Sequence, residues 1–124
     1  MANVGIVIIS HSEKVANGVK DILEQAVGQV TVEAAGGQGD GEIGTSLEKI
    51  QGAIEKVHSA QGTIVFYDLG SAKMNAEIAI EMLELENVQL AEAPVLEGAY
   101  LAAVESSMGR PLEKIVNALE KEFK

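Results

Sequence analysis

Four apolar runs of strand length alternate with helix-length amphipathic stretches, and this alternation narrows the possible folds sharply. The first run, Val4-Gly5-Ile6-Val7-Ile8-Ile9, ends in Ser10-His11-Ser12. It is almost wholly apolar, as a strand covered on both faces of a parallel sheet requires. Glu13 to Val27 then reads as a helix, with Val15, Val19, Ile22, Leu23 and Ala26 on one face. Ser12 is its expected N-cap and Gly28 its stop. A second strand is predicted from Val30 to Ala35, followed by a glycine-rich loop from Gly36 to Gly44. Thr45 or Ser46 opens a second helix whose apolar line is Leu47, Ile50, Ile54 and Val57.

The third strand, Thr63 to Tyr67, runs into Asp68-Leu69-Gly70-Ser71, and a helix is expected from about Ala72 to Leu85. Val88 to Ala91 makes a fourth strand, and Ala93-Pro94 breaks the chain. Leu96 to Met108 reads as a helix with Gly109 as its stop, and Pro111 suits the first position of a last helix reaching Phe123. The pattern predicts one α/β domain over residues 1–124: a doubly wound, mostly parallel sheet with helices on both faces and right-handed crossovers. The flavodoxin-like strand order 2-1-3-4 is the expected arrangement.

Composition supports a packed domain and closes off several chemistries. The chain is 47% hydrophobic but only 3% aromatic, so its core must come from Val, Ile, Leu, Ala and Met. With no Cys, disulfides, thiolate catalysis and thiolate metal sites are excluded. A net charge of −10 argues against nucleic acid and anionic membrane surfaces, and favours basic patches on protein partners. No apolar run approaches the roughly 20 residues of a membrane helix. The start of the chain lacks a basic segment and a small-residue cleavage site, so a cytoplasmic protein is expected.

In open α/β sheets, chemistry collects beyond the carboxyl ends of the strands, where strand order reverses. Three strand ends bring polar groups there: Ser10-His11-Ser12, the glycine loop, and Asp68 with Gly70-Ser71. If the first and third strands are neighbours, Asp68 can accept a hydrogen bond from one His11 ring nitrogen, fixing the tautomer and leaving the lone pair of the other free to attack. Backbone N–H groups near Gly70, Ser71 and Ala72, at a helix start, make a seat for an anion.

Blander readings exist for each residue. A histidine at a strand end is often a cap or surface residue, and an aspartate before Gly-Ser is often a helix cap. His58, at the end of the second helix, suits the helix dipole. The glycine loop lacks the Gly-Lys-Ser/Thr ending of a nucleotide loop and reads as a connection that shapes the site or a docking surface. Met1, Met74, Met82 and Met108 show no ligand spacing, with Met74 and Met82 expected as interface or core filler. Glu81, Glu84 and Glu86 read as a solvated face. A receiver domain phosphorylated on Asp68 would need an acidic pair after the first strand, where Ser10-His11 stands instead.

Five segments in register carry a family resemblance: Ile9-Ser10-His11-Ser12, Ala34-Ala35-Gly36-Gly37, Ile43-Gly44-Thr45-Ser46, Tyr67-Asp68-Leu69-Gly70-Ser71-Ala72 and Ala93-Pro94-Val95-Leu96-Glu97-Gly98. In these the chain resembles the phosphotransfer subunits of phosphoenolpyruvate-dependent dihydroxyacetone kinases, relatives of mannose-type enzyme IIA domains. The Ser-His-Ser context and Leu96-Glu97-Gly98 point to the dihydroxyacetone branch, since transporter relatives usually carry His-Gly at the active histidine.

The resemblance implies that His11 accepts a phosphoryl group from the histidine-containing phosphocarrier protein and passes it to ADP. That ADP is held by the nucleotide-binding kinase subunit. It further implies that this chain binds no cofactor of its own, with ADP and magnesium on the partner subunit. The ring nitrogen remote from the backbone is the expected nucleophile, with the other facing Asp68. Thr45, Gly70 and Ser71 are the expected phosphoryl-binding residues, and Leu96-Glu97-Gly98 the rim or partner surface. A homodimer is expected. Some family members carry fused phosphocarrier and enzyme I-like domains, so a chain ending at Lys124 is expected to draw on separate ones. Two other functions stay open at this point. One is a transporter enzyme IIA passing phosphate to a protein histidine; the other is a non-enzymatic regulatory module in which His11 is structural.

Overall fold

The computed structural model describes residues 3–123. Its element order is β1 (Gly5–Ser10), α1 (Glu13–Val27), β2 (Val32–Gly36), α2 (Leu47–Val57), β3 (Thr63–Tyr67), α3 (Gly70–Leu83), β4 (Val88–Leu90), α4 (Val95–Ser107) and α5 (Leu112–Phe123). All strand pairs are parallel and the sheet order is β2-β1-β3-β4, the doubly wound arrangement expected. Every residue of β1 is buried, because this central strand is covered on both faces.

Alternation along the strands divides the core in two. Ile6 and Ile8 of β1 join Ile64 and Phe66 of β3 beneath α1, α4 and α5, with Leu23, Ala99 and Ile115 among their neighbours. Val7, Ile9 and Val65 face the opposite way, toward Ile50, Ile54, Ala72 and Ala76 of α2 and α3. The scarcity of aromatics is met by close approach of small residues. Gly98 of α4 lies against Phe66, where a Cβ would stand 3.1 Å from the ring and 2.8 Å from the Ala93 methyl.

Several boundaries differ from expectation for local reasons. β2 begins at Val32, because residues 28–30 form a tight turn in which the Val30 N–H bonds the Gly28 carbonyl. α3 runs from Gly70 and ends at Leu83, where Glu84 turns left-handed at φ 53°. β4 stops at Leu90, and α4 runs from Val95 to Ser107, one residue earlier than expected at each end. Pro111 lies just outside α5, and its carbonyl accepts the first two helical bonds, from Lys114 and Ile115.

The predicted apolar face of α1 is only partly the buried one. Ala16, Val19 and Leu23 are buried, whereas Val15, Ile22 and Ala26 are exposed. Ala16 faces the sheet where Gly36 comes into contact with it, and this contact sets which side of α1 is covered. Met74, Met82 and Met108 are exposed, which rules out core filling for Met74 and Met82; Met1 lies outside the described residues. Glu81, Glu84 and Glu86 are solvated as expected.

Candidate phosphotransfer site

Local capping chemistry places the first strand end. Ser12 is extended and its Oγ accepts the Val15 N–H, which starts α1 immediately after His11. The glycine loop closes over the same turn through two backbone bonds. The Gly37 N–H bonds the Ser10 carbonyl at 3.1 Å, and the Gly44 N–H bonds the His11 carbonyl at 2.8 Å. The loop therefore shapes the site, one of the two roles its composition suggested.

β1 and β3 pair with Ile9 beside Tyr67, so the next step along each strand sets Ser10 beside Asp68. Asp68 Oδ1 lies 3.0 Å from His11 Nδ1 and accepts the Leu69 N–H at 2.7 Å. Oδ2 accepts the Ser10 hydroxyl at 2.8 Å and the His11 N–H at 3.0 Å. Burial pushes the Asp68 carboxyl upward, but the bonds from the His11 ring, the His11 N–H, Ser10 and Leu69 outweigh it. Its pKa is held below the ordinary carboxylate value. The charged carboxylate thus accepts the Nδ1 proton and leaves the lone pair on Nε2.

Nε2 faces outward, 2.6 Å from Ser71 Oγ in the first turn of α3. With the proton on Nδ1, Ser71 is the donor of that bond. No side chain caps α3 at Leu69, so the Gly70 and Ser71 N–H groups stay open beside the imidazole, whereas the Ala72 N–H is taken by the Leu69 carbonyl at 2.9 Å. Thr45 lies just before α2, whose N-cap is Ser46, and its Oγ1 accepts the Asn75 amide at 2.5 Å. Asn75 is one turn beyond Ser71 on α3, so Ser71 and Thr45 stand on the same side of the site.

The structure thus brings His11, Asp68, Gly70 and Ser71 together, with Thr45 one residue from the loop bond on His11. Leu96-Glu97-Gly98 differs from its expected rim position. Leu96 packs on the core, Gly98 is buried against Phe66, and only Glu97 is exposed. His58 is the C-cap residue of α2, and its Nδ1 bonds Thr63 Oγ1 at 2.9 Å. Among the described residues, no cluster of three or more His, Asp or Glu side chains could hold a metal ion.

Two supporting residues escaped sequence reasoning. Lys49 donates to the Gly36 carbonyl at 2.6 Å and to Glu13 at 3.1 Å, tying α1, β2 and α2 together below the loop. Asn75, which orients Thr45, is the other. Neither belongs to a recognisable local motif, and both act only through residues distant in sequence.

The chain matches the EIIA-man family, described as "PTS system fructose IIA component", over residues 5–116. It belongs to that family. Among curated relatives, it is 47% identical over 116 residues to the PEP-dependent dihydroxyacetone kinase 1, phosphoryl donor subunit DhaM, of Listeria innocua, covering 94% of this chain and 92% of that protein. It is 39% identical to the phosphotransferase subunit DhaM of a PTS-dependent dihydroxyacetone kinase from Lactococcus lactis, covering 94% of each. The Escherichia coli phosphoryl donor subunit DhaM is 35% identical over 91% of this chain, which spans 25% of that longer protein. Among solved structures, the EIIA-man chain superposes on EF1359, a protein of unknown function, with a TM-score of 0.85 at 29% identity, covering 98% of this chain and 95% of that one.

Proposed function

We propose that this chain is the phosphoryl donor subunit of a phosphoenolpyruvate-dependent dihydroxyacetone kinase, carrying the phosphoryl group on His11 Nε2. The observation that carries this reading is the clamp on His11, with Asp68 at Nδ1 and the uncapped start of α3 at Nε2. Curated relatives that match over more than nine-tenths of their own length bear that name.

On this reading the Nε2 lone pair attacks the phosphorus carried by the phosphocarrier protein's histidine. The donor P–N bond breaks, and its electron pair returns to the donor ring. Nδ1 keeps its proton and donates it in a hydrogen bond to Asp68 throughout, so the positive charge gained by the ring is met by the carboxylate. Ser71 swings from Nε2 to a phosphoryl oxygen, joining Thr45 and the N–H groups at Gly70 and Ser71. Transfer through a loose transition state asks mainly for in-line positioning and charge stabilisation.

In the second half, a terminal oxygen of ADP attacks phosphorus and the P–Nε2 bond breaks toward the ring. ADP and magnesium belong, on this proposal, to the nucleotide-binding kinase subunit, and this chain binds no cofactor. Its partners are then that subunit and the phosphocarrier, in the cytoplasm, with the chain itself a homodimer. None of its described helices is long and apolar enough to cross a membrane.

The test is transfer of labelled phosphate from phosphoenolpyruvate through enzyme I and the phosphocarrier, followed by addition of the ADP-loaded kinase subunit. Acid-labile label on wild type, chased onto ADP, is the expected result. Label that ADP does not remove would favour a sugar-transporter role, consistent with the family's description as a fructose IIA component. No label would overturn the phosphoryl-carrier reading altogether.

A further inference from the structure

Ser10 is fully buried, and its hydroxyl lies between two partners. The Ser12 N–H donates to Oγ at 3.0 Å, so the single hydroxyl proton goes to Asp68 Oδ2 at 2.8 Å. That contact comes from strand register, since Ser10 and Asp68 are the next neighbours after the Ile9–Tyr67 pair. Their side chains therefore leave the sheet on the same side.

We propose that Ser10 is a positioning residue for phosphotransfer: its hydroxyl anchors Asp68 Oδ2 so that Oδ1 stays on the Nδ1 proton of His11. A carboxylate can turn about its last bond, and a turn of a few tens of degrees would release Nδ1. The imidazole would then be free to place its proton on Nε2, where it blocks attack. Ser10 and the His11 N–H hold Oδ2, while Leu69 holds Oδ1, so the carboxylate plane is fixed from both sides. Of these donors, only Ser10 is a side chain that substitution can remove without touching the backbone or the nucleophile.

This inference rests on His11 being the phosphoryl carrier, and it makes a separable prediction. A fully buried hydroxyl cannot touch the docking protein or the transferred group. Ser10→Ala should therefore lower the rate constant for transfer from the phosphorylated phosphocarrier by about tenfold, the value of one weakened charge-assisted hydrogen bond, with KM unchanged. The ring nitrogen shifts of His11 in ¹⁵N-labelled protein should report the Nδ1–H tautomer in wild type and a mixture in Ser10→Ala. Ser10→Thr, which keeps the hydroxyl, should recover both signals.

Wild-type tautomer and rate in Ser10→Ala would overturn the proposal. So would Ser10→Thr being as impaired as Ser10→Ala, because side-chain volume rather than the hydroxyl would then be decisive. A wild-type protein that takes no label on His11 would sink the phosphoryl-carrier reading instead, while the tautomer comparison would still decide the role of Ser10.

Discussion

His11 Nδ1 and Asp68 Oδ1 lie 3.0 Å apart although 57 residues separate them in the chain. Two parallel strands ending side by side create this contact, and the same carboxylate also binds the His11 backbone N–H. One aspartate thus fixes both the turn that carries the histidine and the orientation of its ring.

Replacing the nucleophile should separate chemistry from folding. His11→Ala is expected to abolish acid-labile phosphorylation while changing stability by no more than about 1 kcal/mol, since the side chain sits at a strand end outside both core clusters. Labelling assays and urea unfolding together check this.

Asp68→Ala keeps the nucleophile but removes its tautomer partner. Transfer should slow by about 10- to 100-fold, corresponding to roughly 1.5–3 kcal/mol for a hydrogen bond to a charged group. A wild-type rate in single-turnover transfer would mean that the His11–Asp68 pair has no part in the reaction.

Ser71→Ala should leave the fold intact, because Ser71 is exposed and α3 draws no cap from it. Loss of one neutral donor to the transferring group should reduce the rate about three- to tenfold. Rapid-quench kinetics with phosphorylated phosphocarrier would show it, and an unchanged rate would remove Ser71 from the phosphoryl seat.

Acid should erase a defined part of the stability. The folded-state pKa of Asp68 lies below its ordinary 3.8, so its contribution is complete well above that value. It is lost as the pH falls through the folded pKa, because the unfolded chain binds the proton first. The urea-midpoint gap between wild type and Asp68→Asn should therefore be widest near neutrality and shrink between about pH 5 and 2. A gap that stays constant with pH would contradict a depressed Asp68.

Gly36→Ala should damage both stability and transfer. A methyl there would stand 2.7 Å from the Ala16 Cβ, 2.7 Å from the Glu13 Cα and 2.8 Å from the Ser12 carbonyl, pushing α1 off β2 next to His11. A loss of about 1–3 kcal/mol is expected from such overpacking. Chemical denaturation together with the transfer assay would measure the two effects.

The element order was legible because its signals are local. Hydrophobic period, Ser12 and Ser46 caps and the Gly28 stop all act within a few residues, and they recover α1 and β3 with their observed limits. The face of α1 was harder to read, since Val15 and Ile22 fit the helical period yet remain exposed. Ala16 is covered where it meets Gly36 of β2, and periodicity carries no information about that contact.

The chemistry divides in the same way. His11, Asp68 and the open glycine-serine helix start could be named from residue types at strand ends, and the family pattern narrowed their roles. Their atomic pairing depended on the β1–β3 register, which arises from side-chain packing on both sheet faces at once. Lys49 and Asn75, and the bond that Ser10 makes to Asp68, emerged only with that packing. Each works through a partner 13 to 58 residues away, so no local window of sequence contains both halves of the interaction.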